Sequence, residues 1–277
     1  MMTTDKLVKN IVCGLFFLCT GLYAQAQFSN TQPAESVKIN TGLPVRFMYD
    51  PSNTRLRDAD SVAVALIISS GNGFEAMDLK AVRNGKNWET DFILPDSTLA
   101  VALRFSDDGI IDDNGGKGYI YPVYQRQLPV PGCRAAAAEL MIKCKRTLSL
   151  GSLYAQQALE LYEKEFEANP SVKPAKELEY YTALVYAKKR EVYPFIERKK
   201  DSLLKQRFSE KNWSMAADLL SLTGKREQAD SLKGEIAKRT KPGSGTGDRF
   251  WHRFLALGSA DSMLIILQQQ QALKHAP

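Results

Sequence analysis

Asp107, Asp108, Asp112, Asp113 and Asn114 fall in one short segment that also carries Gly109, Gly115, Gly116 and Gly118. Oxygen ligands at this density could gather round Ca²⁺, which takes about six to eight of them. The spacing departs from the EF-hand loop, in which acidic residues alternate and a Glu closes the site. An acidic turn whose Asp and Asn side chains bond the local backbone is therefore preferred to a metal site. The carboxylates are also not placed for glycoside hydrolysis, which needs two of them opposed across a cleft.

The remaining reactive types are few. Of the four cysteines, Cys13 and Cys19 lie in the amino-terminal apolar run, which leaves Cys133 and Cys144 as candidate thiols. Both fall in a segment that reads as helix, and eleven residues of helix rise about 16 Å. A disulfide spans about 4.4 to 6.8 Å between Cα atoms, so the two are expected to be separate thiols. Neither belongs to a C-x-x-C pair, which argues against redox catalysis by this chain alone. His252 and His275 are the two histidines. With no G-x-S-x-G elbow and no zinc-spaced His/Cys set, His252 reads as part of an aromatic helix face, and no catalytic residue is assigned. Gly243, Gly245 and Gly247 depart from the phosphate-loop spacing and lack the Lys-Ser/Thr pair, so they read as linker.

The elements around these residues follow from patterning. Lys6 and Lys9 precede the apolar run from Ile11 to Cys19, and Ala24-Gln25-Ala26 supplies small residues for a peptidase. Residues 1–26 are read as a signal peptide cleaved after Ala26, placing the mature chain in the periplasm or outside the cell with no stable membrane span. Period-two alternation predicts about seven strands in 27–132, over 36–40, 45–49, 62–68, 79–83, 88–94, 99–105 and 119–124. Asn84-Gly85 between two alternating runs is a hairpin signal. Seven short strands with regular turns suggest an immunoglobulin-like β-sandwich.

From 133 to 240 the pattern becomes helical, over 135–145, 153–168, 175–189, 192–208, 213–222 and 225–239. Trp213, Ala217, Leu220, Gly224 and Ala229 follow the spacing of one tetratricopeptide repeat, in which small residues let antiparallel helices close and Gly opens the turn. The helical part is thus expected to be TPR-like, and these five residues are assigned to an interaction surface. Residues 241–247 read as a linker, and 248–277 as C-terminal helices.

The 277 residues are 44% hydrophobic and 25% charged, as in ordinary globular chains, with a formal charge of +6. Lys and Arg interleave with Glu and Asp along the helices and no nucleic-acid-binding signature accompanies them, so a nucleic-acid partner is not expected.

W-E-T-D-F-I-L-P-D-S from Trp88, then D-D-N-G-G-K-G-Y and P-V-P-G up to Gly132, resemble the amino-terminal region of large TlpA-type thioredoxin-like proteins exported by Bacteroidota. Gly42-Leu43-Pro44-Val45, Tyr49-Asp50-Pro51 and the helical run from Gly224 to Lys233 resemble it too, so the likeness covers much of 27–239. In that family a thioredoxin domain with a C-x-x-C pair follows. Its cysteines match no position here, and oxidoreductase activity is not carried over. The resemblance implies a non-catalytic accessory module that binds a protein or peptide of the cell envelope. Two alternatives remain: a redox-linked partner acting through an exposed thiol at Cys133 or Cys144, and a sandwich that binds calcium or a glycan.

Overall fold

A computed structural model describes residues 26–31, 37–71 and 73–240. The segment read as a signal peptide, apart from Ala26, the expected linker over 241–247, the helices expected over 248–277 and both histidines lie outside the described residues. Eleven strands come first: β1 (Ala26–Ser29), β2 (Ile39–Asn40), β3 (Pro44–Tyr49), β4 (Ala63–Ser70), β5 (Gly73–Leu79), β6 (Val82–Asn84), β7 (Asn87–Ile93), β8 (Thr98–Asp107), β9 (Ile110–Asp112), β10 (Tyr119–Gln125) and β11 (Leu128–Pro129). Six α-helices follow: α1 (Cys133–Lys143), α2 (Tyr154–Ala168), α3 (Glu177–Lys188), α4 (Tyr193–Lys205), α5 (Glu210–Leu222) and α6 (Arg226–Arg239).

The strands form two sheets, one ordered β1-β3-β7-β6 and the other β11-β10-β8-β4-β5, with β2 beside β10 and β9 beside β8. Alternation places Val45, Phe47 and Tyr49 of the first sheet against Leu66, Val101, Leu103, Phe105 and Tyr121 of the second, in one core. Arg46, on the other face of the first sheet, forms a two-pronged ion pair with Asp91 directly across the ladder, at 2.8 and 2.9 Å.

The second sheet is buried on both faces. Ile67, Ala100, Ala102 and Ile120 point away from the first sheet and pack in a second core with Ala135, Ala136, Leu140 and Met141 of α1. This explains why 62–68 reads as an unbroken apolar run, since a strand covered on both sides has no polar face. It also explains the alanine run of α1, whose small side chains let helix and sheet approach closely. A third core joins α2, α3, α4 and α5 through Leu159, Tyr181, Leu184, Ile196 and Leu219. The result is sheet on sheet, then helices, with a core shared across the junction at 132 and 133.

The six helices match the expected segments to within a few residues. The hairpin expected at Asn84-Gly85 also forms, with Asn84 opposite Asn87 and Gly85 at φ 61°. Strands β1, β5, β9 and β11 were not expected, and two pairings, β1 with β3 and β2 with β10, are parallel.

Candidate functional site

The acidic glycine segment separates into three local structures rather than one ligand cage. Asp108 and Gly109, at φ 43° and 80°, make the two-residue turn of the β8–β9 hairpin, while Asp107 accepts from Ser61 Oγ at 2.8 Å. Asp112 turns inward and is buried. Its Oδ2 accepts from Tyr49 at 2.7 Å and Tyr119 at 2.5 Å, and its Oδ1 accepts from the Asn114 amide at 3.1 Å. Burial, together with the hydrogen bond to the Asp112 carboxyl, pushes both phenols well above their usual range. The two rings also pack on Phe105, Tyr49 stacked at 4.1 Å and Tyr119 edge-on at 5.1 Å.

Asp113 pairs with Arg55 at 3.4 Å, and the Asn114 side-chain Nδ2 donates to Gly118 O at 2.9 Å. The two bonds made by Asn114 are local to the turn, whereas the Arg55 pair ties it to a distant segment. Among the described residues no three His, Cys, Asp or Glu side chains are grouped to hold a metal ion.

The glycines of this segment have a different task, which the sequence reading missed. Gly116 O accepts from Gly151 N at 2.7 Å, and a Cβ on Gly116 would stand 2.9 Å from Gly151 Cα. Gly118, at φ 70°, lies under Leu150, whose Cδ2 would be 2.6 Å from an added Cβ. Backbone meets backbone there, so the turn docks the α1–α2 loop against the end of the sandwich.

Cys133 and Cys144 are free, and both are buried at 0% and 1% exposure. Burial pushes Cys133 up to about 11 and Cys144 up to about 12. This corrects the alternative that relied on an exposed thiol: α1 is covered by the sheet on one side and by α2 on the other, so neither sulfur faces solvent. The N-terminus of α1 is closed from a distance. The buried Glu165 carboxylate of α2 accepts from the Gly132 and Arg134 amides at 2.8 and 3.0 Å, which places a negative charge on the positive end of the helix. Glu139, also on α1, sits between Lys143 and Lys176, the latter at 2.7 Å. Burial alone would raise its pKa, but the two ammonium groups outweigh that and hold it below the ordinary carboxyl range.

In the last hairpin, where α5 and α6 pack together, Ala217, Leu220 and Ala229 are buried. Gly224 adopts φ 83°, with Gly224 N donating to Ser221 O and Lys225 N to Leu220 O, the double closure of a Schellman turn. The assignment of these residues to an interaction surface is therefore corrected. Three of them are buried and Gly224 makes the turn, so they are not available to present a surface. Trp213 is half-buried, with Phe208 edge-on at 5.0 Å and the Arg239 guanidinium 4.6 Å above its ring. An open depression along α4, lined by Arg198, Asp201, Ser202, Lys205 and Gln206, belongs to one helix face and gathers no catalytic set. No described helix is long and apolar enough to cross a membrane.

No protein-family model matches the chain, and no match is found among curated proteins or solved structures.

Proposed function

We propose that the chain is an exported, non-catalytic accessory module that binds a protein or peptide of the cell envelope. Its β part acts as an immunoglobulin-like scaffold and its helices as TPR-like hairpins, in the manner of the amino-terminal region of TlpA-type proteins. The observation that carries this reading is the α5–α6 hairpin. Its two fully buried alanines and left-handed glycine occupy the positions at which a tetratricopeptide unit needs small residues. The contact of α3 with both α2 and α5 adds to it, since stacked hairpins leave a continuous helical face open to a partner.

The test is a pull-down from envelope extract with the chain from Gln27 to Pro277, run with and without reductant. Partners retained in reductant support the reading. Partners seen only without reductant, and lost on Cys133→Ser or Cys144→Ser, would replace it with a thiol-linked role.

A further inference from the structure

Among the described residues the helices leave three large apolar side chains exposed: Leu153 at 67%, Tyr186 at 49% and Phe195 at 44%. All three lie at one end of the helical stack. Successive helices are antiparallel, so the start of α2, the end of α3, the start of α4 and the end of α5 come together. Contacts between the helices confirm the placement. The Tyr162 and Phe166 rings of α2 meet Tyr180 of α3 at 6.2 and 5.5 Å, so the late turns of α2 lie against the early turns of α3 and the start of α2 against the end of α3. Lys225, just past α5, pairs with Glu197 in the second turn of α4 at 2.7 Å.

The same end carries three consecutive exposed cations, Lys188 at the end of α3 and Lys189 and Arg190 on the turn to α4, beside the exposed Glu191. None of the three has an ion-pair partner among the described residues. The turn is held in an uncommon backbone state, with Lys189 at φ 52° and ψ −131°, a region that favours glycine. Charge is also divided along the chain. Residues 133–240 hold 21 Lys and Arg against 15 Asp and Glu, whereas 27–132 hold 10 against 13. A molecule with that asymmetry is oriented, helical part first, by a negative surface.

We propose that this end of the helical stack is a peripheral docking surface for an anionic lipid leaflet. Lys188, Lys189 and Arg190 engage lipid phosphates, and Leu153, Tyr186 and Phe195 enter the headgroup region. An acidic protein is the weaker match to the same features. Protein interfaces concentrate their energy in desolvated pockets and are depleted in lysine, whereas here the apolar side chains project singly from helix ends beside lysines. Aromatic and aliphatic tips flanked by long cationic side chains suit a fluid interface, where the charged heads stay at phosphate level. The proposal stands independently of any protein partner.

Flotation of the chain from Gln27 to Pro277 with vesicles decides it. Binding is expected to phosphatidylglycerol/phosphatidylcholine vesicles, weakly or not at all to phosphatidylcholine alone, and to fall as salt rises. The triple variant Lys188→Glu, Lys189→Glu, Arg190→Glu is expected to lower partitioning by at least about tenfold. Leu153→Ser with Phe195→Ser is expected to weaken binding at unchanged charge. A matched reversal at the opposite end, Lys205→Glu, Arg207→Glu, Lys211→Glu, is expected to retain most of it, with circular dichroism confirming that every variant is folded. No binding to anionic vesicles overturns the proposal. So does equal loss in the two triple variants, or binding of a poly-aspartate peptide without binding of vesicles.

Discussion

Replacing Asp112 by alanine removes the acceptor shared by the Tyr49 and Tyr119 hydroxyls; Tyr49 keeps Thr54 Oγ1 at 2.9 Å as a partner, while the Tyr119 donor loses its acceptor inside the sandwich. An unsatisfied buried polar group is costly, so Asp112→Ala is expected to lose about 3 kcal/mol in urea unfolding, against about 1 kcal/mol for Tyr49→Phe. Equal small losses would show that the cluster does not carry the turn. The cysteines make a second expectation. With both thiols buried and pushed up to about 11 and about 12, a thiol reagent near neutral pH should label the native protein slowly and both sites at once in urea. Glu139 gives a pH dependence. Its folded pKa lies below the usual 4.5, so its contribution is present above the unfolded value and is lost as pH falls through the folded one. Stability should therefore decline more steeply between about pH 5 and 3 in the wild type than in Glu139→Gln. At this scale the sequence shows residue types but not orientation. Asp112 and Asp113 are adjacent, yet one is buried under two tyrosines and the other pairs with an arginine, because Asp112 closes β9 on its core-facing side and Asp113 already belongs to the loop that follows. No count of carboxylates anticipates that.

At the scale of elements, the helices were legible because their apolar stripes, the Asn169-Pro170 stop and the Gly224 break are all local signals. Strands β5 and β9 were not. Glu75, Ala76 and Asp78 are poor strand formers, and β5 forms because β4 pairs with it along its whole length. The three-residue β9 owes its existence to a two-residue turn. Contacts made by missing side chains are equally silent in hydropathy. Gly116→Ala forces a methyl to 2.9 Å from Gly151 Cα at φ 84° and is expected to cost about 2 kcal/mol or more, read as a lowered melting temperature. Ala229→Leu should overpack the α5–α6 contact by about 1–3 kcal/mol. An unchanged melting temperature in either variant would contradict the packing described.

For the whole molecule, the change from strand pattern to helix pattern at 132 is plain in the sequence, but the burial across it is not. Ile67, Ala100, Ala102 and Ile120 form an apolar outer face that α1 and the loop after it cover. A fragment ending at Gly132 would expose that face, and is expected to bind a hydrophobic dye and aggregate, whereas the chain from Gln27 to Thr240 should remain monodisperse. The contact between the two glycines offers a finer readout. The Gly151 amide hydrogen has its acceptor, Gly116 O, on the other side of the junction, so its exchange with deuterium is slow only while sheet and helices are docked. One exchange rate thus reports how often the two parts separate, even when neither of them unfolds.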